Sequence, residues 1–498
     1  MTFTDYVFEN SQDLEKTAII FKKEVSYREI FKNINYVTIL LKGKGYTKGD
    51  CVLIVSENST FFIKTYFGVI KNGSVCVPIN PATSEEDIKY IIDILKIKLV
   101  FVEERYKKKI ENIVSREVEF YTEKDLEGLE HAGNLVEDNT IDIKKDIALI
   151  MFTSGSTAKP KGVMLTHYNL MYNTNSIIEY LNLTKKDRIE VVLPFYYCYG
   201  TSLINTHFRC GGSIVINNRF MFPQTVLEHI NKYQCTGFAG VPSTYQILLR
   251  MTEIKNYKFP SLRYITQAGG KLPEVFISEL INILKGVDIF IMYGQTEATA
   301  RLSYLPPLQI RNKLGSIGKG IPGTELMVLN KDGENVKMGE IGEVVAKGGN
   351  IMKGYFNDKE ETEKVLKGEL LYTGDLATVD EDGYIYIVSR EKNIIKSGGN
   401  RVSPKEIENV ILQISEVVEC VVIGISDDVL GEAIKAFAVL KDSSCNINSK
   451  YIIDYCRDRL PKYKTPKYVE FLKTLPKNSS GKVLLKVLKE KMNEIGEV

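Results

Sequence analysis

Ile147-Ala148-Leu149-Ile150-Met151-Phe152-Thr153-Ser154-Gly155-Ser156-Thr157-Ala158-Lys159-Pro160-Lys161-Gly162 is the stretch around which the chain is organised. Six apolar residues in a row, Ile147 to Phe152, read as a strand buried on both faces. The run then breaks into hydroxyls, two glycines, two lysines and a proline. Those are the residue types of a loop that holds a polyphosphate. Glycine lets the backbone approach closely, and exposed N–H groups and hydroxyls donate to phosphate oxygens. Lysine adds a positive point charge. Thr153, Ser154, Gly155, Ser156, Thr157 and Lys161 are the candidate contacts. The loop is not of the Walker A type, because Pro160 stands where that pattern needs its second glycine.

Upstream of this stretch, strand-like and helix-like segments alternate from about residue 15 to 105. Strands are predicted at 18–21, 51–55, 74–79 and 99–102, and helices at 27–41, near 59–71 and from Glu85. Alternation of this kind predicts a parallel sheet covered by helices on both faces. The polar, acidic region 120–146 reads as a surface connection into the loop. Downstream the alternation resumes, with a helix at 169–181 and strands at 188–193 and 213–216. From about residue 314, closely spaced glycines punctuate short strands and suggest a small barrel or antiparallel sheet. Gly318-Lys319-Gly320-Ile321-Pro322-Gly323 matches a dinucleotide fingerprint in form only. Pro322 sits inside it and no helical pattern follows. Beyond about residue 392, helices at 404–413 and 449–460 and strands at 417–423 and 434–440 suggest a compact α+β unit.

The 498 residues are too many for one hydrophobic core. Lys plus Arg is 65 and Asp plus Glu is 63, so the net charge of +2 calls for neither nucleic acid nor an anionic membrane as partner. No apolar run approaches the roughly 18 residues of a membrane helix, and no signal peptide is evident. Eight scattered cysteines without a Cys-x-x-Cys pair lead us to expect a reduced, cytoplasmic compartment. Four unclustered histidines argue against a structural zinc.

Further motifs follow the loop in order. Gln267-Ala268-Gly269-Gly270-Lys271-Leu272 is a glycine turn, and Tyr293-Gly294-Gln295-Thr296-Glu297-Ala298 ends an apolar run. Tyr372-Thr373-Gly374-Asp375 precedes a segment ending Ser389-Arg390-Glu391-Lys392. Ile394 to Glu408 carries Gly398-Gly399, and Leu475-Pro476-Lys477-Asn478-Ser479-Ser480-Gly481-Lys482 lies near the end. A flat ring suits a base, a hard carboxylate suits a hard cation that bridges phosphates, and a carboxylate accepts from ribose hydroxyls.

With the phosphate loop, these motifs resemble the signatures of the adenylate-forming superfamily, which includes acyl-CoA synthetases, adenylation domains and luciferases. The resemblance runs from about residue 15 to 490 and is closest in pattern to acyl-CoA synthetases. It implies an α/β fold: a large N-terminal domain, 1–391, of two helix-flanked sheets plus a small β-barrel at about 314–391. A smaller mobile α+β C-terminal domain, 392–498, would follow. It implies ATP, Mg²⁺ and coenzyme A, and a small carboxylic acid that becomes an acyl-adenylate and then a thioester. The alternative thiol is the phosphopantetheine of a carrier protein. A nucleotide-binding protein without turnover is the reading from a different class.

By the same resemblance, Lys482, Glu297 and Thr157 form the catalytic set, with Glu297 on the metal. Tyr293 would stack on adenine and Thr296 would bond the α-phosphate. Asp375 and Arg390 would hold the ribose, and Gly270, Lys271, Gly294 and Gln295 would flank the nucleotide. Lys392 would be the hinge, and Gly398 and Gly399 the thiol path. The family usually has Gly before this arginine and Asp after this lysine, where the chain has Ser389 and Asn393. In Leu193-Pro194-Phe195-Tyr196-Tyr197-Cys198-Tyr199-Gly200, Tyr197 occupies a usual histidine position. Tyr197, Tyr199 and Gly269 would line the acid pocket, while Tyr196 fills core. No Asp lies between Val191 and Ile204 to pair a buried ammonium, so a plain carboxylic acid is expected, not an amino acid.

Overall fold

A computed structural model of the chain describes residues 1–115, 117–127, 140–153, 159–390, 393–427, 429–442, 446–477 and 483–495, the last with side chains to residue 490. The strand Ile147–Thr153 lies in a seven-stranded sheet. On one side it runs parallel to Val75–Ile79, and beyond that come Cys51–Val55, Leu99–Val102 and Glu119–Tyr121, all parallel. On the other side Lys161–Thr166 returns antiparallel, with Thr153 directly opposite Lys161. A short connection cannot form a parallel crossover, so the loop between these strands is a hairpin loop. The region read as a plain connection also holds more structure than its composition suggests. Glu119–Tyr121 adds an edge strand and Glu123–Glu127 a short helix.

A second, nine-stranded sheet is parallel through Asp288–Tyr293, Tyr264–Gln267, Gly237–Gly240, Arg188–Val191, Ser213–Ile216 and Thr17–Ile20. Its two ends are antiparallel. The sequence turns back on itself at both edges through connections too short for a crossover helix. Helices Thr60–Lys71, His167–Leu181 and Cys198–Arg209 pack between the two sheets in the main core. Phe62, Tyr66, Phe67 and Phe208 there lose essentially all their surface to neighbours. Ser26, Ser59 and Ser84 each cap a following helix by accepting from a backbone N–H three residues on.

Where a small barrel or antiparallel sheet was expected, five strands pair antiparallel in a bent sheet. It runs from Glu325–Leu329 through Gly342–Lys347 and Leu370–Val379 to Leu366–Lys367, with Ile385–Arg390 also on Leu370–Val379. Irregularities at Glu343/Val345 and Leu376/Ala377 bend it. Lys319–Gly320 is only an edge strand, in keeping with the discarded dinucleotide match. The C-terminal unit has its own five-stranded sheet, built on Val417–Asp427 and Gly431–Leu440, with helices Pro404–Ile411 and Ser449–Arg457. Among the described residues, no helix is long and apolar enough to cross a membrane.

Candidate active site

The ends of several of these strands converge on one cavity of about 490 Å³ between the large domain and the C-terminal unit. Gly269, Gly270, Lys271, Tyr293, Gly294, Asp375 and Arg390 all line it. They come from the second sheet and the bent sheet, far apart in sequence: Tyr293 and Asp375 are 82 residues from each other.

The tightest constellation sits on the bent sheet. Asp375 and Arg390 face each other across two paired strands. Arg390 Nε donates to Asp375 Oδ1 at 2.9 Å, and the Tyr293 hydroxyl donates to Asp375 Oδ2 at 2.7 Å. Asp375 is buried, whereas the Arg390 side chain keeps 57% of its surface. The carboxylate beside it holds the Arg390 guanidinium above its ordinary pKa. Burial, reinforced by Asp375, pushes the Tyr293 phenol well up, so it stays a neutral donor. A carboxylate held this way keeps lone pairs for further donors such as a pair of ribose hydroxyls.

Gly294 follows Tyr293 where the chain crosses itself. A Cβ there would run into the Ala300 carbonyl and lie 2.9 Å from Arg301 Cα. Gly269 has φ +87°, a left-handed conformation that L side chains rarely adopt. Gln267, beside this turn, donates from Nε2 to the Gly270 carbonyl at 2.8 Å and leaves its buried Oε1 without a protein partner. Burial lowers the pKa of Lys271.

The phosphate side is held by contacts across the fold. Lys161 opens the return strand of the hairpin and forms an ion pair with Glu361. Its Nζ lies 5.2 Å from the centre of the Tyr355 ring, and the Tyr355 hydroxyl donates to Glu297 Oε1 at 2.8 Å. The hydrogen bond from Lys161 brings the Glu361 carboxyl down to about 2. Tyr355, raised by burial and then by Glu297, remains a donor. Thr296 and Glu297 form a single 3-10 turn, and Thr296 Oγ1 lies 3.6 Å from Cys198 Sγ. Gln295 precedes that turn in extended conformation. Among the described residues no cluster of three or more His, Cys, Asp or Glu could cage a metal. Magnesium needs no cage, since it is commonly held by one or two carboxylates plus substrate phosphates. Glu297, close to Lys161 through Tyr355, fits that use.

Tyr197 caps the helix Cys198–Arg209 and packs edge-on against Tyr196, with ring centres 4.9 Å apart. Tyr199 is buried, and its hydroxyl lies 2.8 Å from Thr266 Oγ1 and 3.0 Å from the Thr266 carbonyl. Neither Tyr197 nor Tyr199 is among the cavity residues. Gly398 and Gly399 sit exposed at the tip of the hairpin Ile395–Ser397/Asn400–Val402, where the Gly398 N–H donates to the Leu430 carbonyl. They are not among the cavity residues. Ser154, Gly155, Ser156, Thr157, Lys392 and Lys482 lie outside the described residues. Lys477 and Val483, which flank the segment holding Lys482, pair with each other and both line the cavity.

Two family models match: the AMP-binding enzyme over residues 8–356 and the AMP-binding enzyme C-terminal domain over 406–482. The chain belongs to the AMP-binding enzyme family. It is 30% identical over 521 aligned positions to the long-chain-fatty-acid–CoA ligase of Bacillus subtilis, covering 96% of this chain and 92% of that one. The anthranilate CoA ligase AuaEII in complex with anthranoyl-AMP superposes with a TM-score of 0.91 at 27% identity, covering 100% and 98% of the two chains. The o-succinylbenzoate coenzyme A synthetase MenE of Bacillus subtilis, in complex with ATP and magnesium, does so with 0.86 at 28%, covering 99% of each.

Three residues near these motifs had no signal in the sequence. Glu361 and Tyr355 meet Lys161 and Glu297 from elsewhere in the chain, inside the glycine-punctuated region where only short strands were expected. Arg301 follows the Tyr293 motif without belonging to it.

Proposed function

We propose that this protein activates a carboxylic acid with ATP and passes the acyl group to coenzyme A. The acid's carboxylate attacks the α-phosphorus of ATP, the bond to the bridging oxygen breaks, and pyrophosphate leaves. The thiol then attacks the acyl carbon of the mixed anhydride, AMP leaves, and the thiol proton goes to solvent. The observation that carries this reading is the Tyr293–Asp375–Arg390 constellation, set in one cavity with the Gly269–Lys271 turn.

In this reading Tyr293 and the glycine turn take the adenine, and Asp375 with Arg390 takes the ribose. Thr153, Lys161, Thr296 and the 154–158 loop take the phosphates. Glu297 would hold magnesium, which would supply positive charge against that developing on the phosphates. Lys482 serves the first step. Lys392 is the hinge at a boundary between 1–391 and 392–498, and Gly398-Gly399 serves the thiol in the second pose. The reaction runs in the cytoplasm, an assignment supported by the seven described cysteines, all of them free thiols.

Pyrophosphate release across a panel of acids, followed by AMP release on adding free coenzyme A, tests this. Acid-dependent release of both supports it. Pyrophosphate release without a response to free coenzyme A would assign the thiol to a carrier protein. ATP binding with no pyrophosphate release on any acid would leave only the non-catalytic reading.

A further inference from the structure

Arg301 is among the largest side chains buried completely, with 2% of its surface exposed. Its Nε donates to the Tyr180 hydroxyl at 3.2 Å, and its guanidinium carbon lies 4.6 Å from the centre of the Tyr199 ring. Among the described residues nothing else meets the guanidinium. No carboxylate pairs with it, and its two terminal nitrogens donate to no protein atom. The phenols cannot neutralise it, because burial raises the pKa of both Tyr180 and Tyr199. Nor can the carboxylates of the site, since Glu297 is engaged by Tyr355 and Asp375 by Tyr293 and Arg390.

A guanidinium cannot shed its proton inside a protein. A buried cation without a counter-charge is therefore costly, and it is usually found paired. The fold nevertheless fixes this one in place. The Arg301 carbonyl accepts from Asn173 Nδ2 at 3.2 Å and from Asn350 Nδ2 at 2.7 Å. Two residues earlier, Thr299 adopts φ 65° and ψ −44°, a strained conformation for a β-branched residue. Its hydroxyl is tied to the Asn350 carbonyl at 2.7 Å.

The position of the cation says what it faces. Arg301 Cα lies directly beneath Gly294, and the Tyr180 hydroxyl that takes its Nε touches Met292 Sδ at 3.0 Å. Gly294 and Met292 both line the cavity. Tyr199, stacked on the guanidinium, stands two residues from Tyr197 in the segment assigned to the acid. Arg301 thus lies one side-chain layer below the cavity wall formed by Met292 and Gly294. Met292, an unbranched and adaptable side chain, is the layer between.

We propose that Arg301 recognises a second anionic group on the substrate, at the end remote from the reacting carboxylate, and so restricts the enzyme to acids that carry one. This deepens the reading above and rests on it. A second carboxylate matches the guanidinium fork in a planar, bidentate way. It would supply the counter-charge that the protein withholds. An apolar acid of the same length would leave the cation unpaired and displace nothing in return.

The test is pyrophosphate release by the full chain with length-matched straight monoacids, dicarboxylic acids and ω-phosphono acids. It is run on the wild type, Arg301→Lys and Arg301→Met, with melting temperature and KM for ATP measured alongside. The wild type should favour at least one dianionic acid over its matched monoacid by on the order of a hundredfold in kcat/KM, the weight of one charge-assisted contact. Arg301→Met should erase or invert that ranking through the KM of the acid, at unchanged KM for ATP. Arg301→Lys should fall between. A preference for dicarboxylic over phosphono acids would identify the planar group. A wild type that prefers monoacids overturns the proposal, as does an unchanged ranking in Arg301→Lys. These two arms decide even if Arg301→Met does not fold. If no acid of any class releases pyrophosphate, the activation reading itself falls.

Discussion

The wall of the cavity supplied by the large domain and the wall supplied by the C-terminal unit are held by different means. On the large-domain side, Tyr293, Asp375 and Arg390 stand on paired strands and are bonded to one another before any ligand arrives. The opposite wall carries two ion pairs, Lys405–Glu408 and Lys477–Glu419, that satisfy themselves within the C-terminal unit. Glu408 also accepts from the Val422 N–H at 3.0 Å. That unit has its own apolar cluster on one face of its sheet, with Val421, Phe437 and Leu488 among its members. It also touches the large domain by a side-chain bond from Ser403 Oγ to the Val388 carbonyl at 2.8 Å. A wall whose charges are satisfied internally can leave without exposing an unpaired ion on either side, since Asp375 and Arg390 likewise pair within the large domain. We propose that the large-domain wall is a fixed template and that the C-terminal wall is exchanged between two successive half-reactions.

Removing a group from the fixed wall should therefore harm both half-reactions. Asp375→Ala deletes the acceptor that we propose for two ribose hydroxyls and leaves Arg390 without its partner. Two charge-assisted bonds together amount to roughly 3–6 kcal/mol, on the order of a hundredfold to ten-thousandfold in kcat/KM. The fall should appear in pyrophosphate release and equally in thioester formation from supplied acyl-adenylate. Asp375→Asn, with one acceptor retained, should lie between. A defect confined to one half-reaction would break the comparison.

Removing a group from the exchangeable wall should separate the two steps. Lys482→Ala should lower pyrophosphate release by on the order of a hundredfold, the usual weight of one charge contact to a transition state. Acyl-adenylate supplied ready-made should still go to thioester at near the normal rate. An equal loss in both assays would mean that Lys482 is not a first-step residue.

The same division explains what the sequence could and could not show. Contacts made within a few residues were legible. The Tyr293 motif, the Gly269 turn and the Asp375 turn each carry their chemistry in four to six consecutive residues. The alternation of segments gave both sheets and the C-terminal unit, with ends differing by a few residues. Pairings across some two hundred positions were not legible, such as Lys161 with Glu361. Nothing in Lys359–Val365, a short charged helix, distinguishes one glutamate from its neighbours. Arg301 is hidden for a related reason. An arginine in a sequence is presumed solvated, and only the fold shows this one buried against two tyrosines.

Acid should act on the two parts in different pH ranges, which gives the smallest and most separable effect. All four histidines lie before residue 230. His167 is fully buried, and its Nδ1 accepts from the Phe3 N–H at 3.0 Å. His207 is equally buried, with Nε2 3.0 Å from the Tyr264 hydroxyl and Nδ1 2.9 Å from the Leu203 carbonyl. Burial brings both imidazoles down to about 4 from the ordinary 6.5. A folded pKa below the unfolded one means that the unfolded chain binds more protons between those values, so stability rises with pH there. The contribution is whole above 6.5 and is lost as pH falls toward 4, at most about 3 kcal/mol for each histidine. In the C-terminal unit, Asp427 and Asp454 are depressed by hydrogen bonds from Lys467 and Lys450, and their losses begin only below 3.8. The chain has no tryptophan, so one introduced at Tyr257 and another at Tyr455 would report the two units separately. Between pH 6.5 and 4 the urea midpoint at Tyr257→Trp should fall while that at Tyr455→Trp stays nearly level. A common shift of both reporters would show the C-terminal unit unfolding only with the large domain, and the contrast between a fixed and an exchangeable wall would lose its thermodynamic basis.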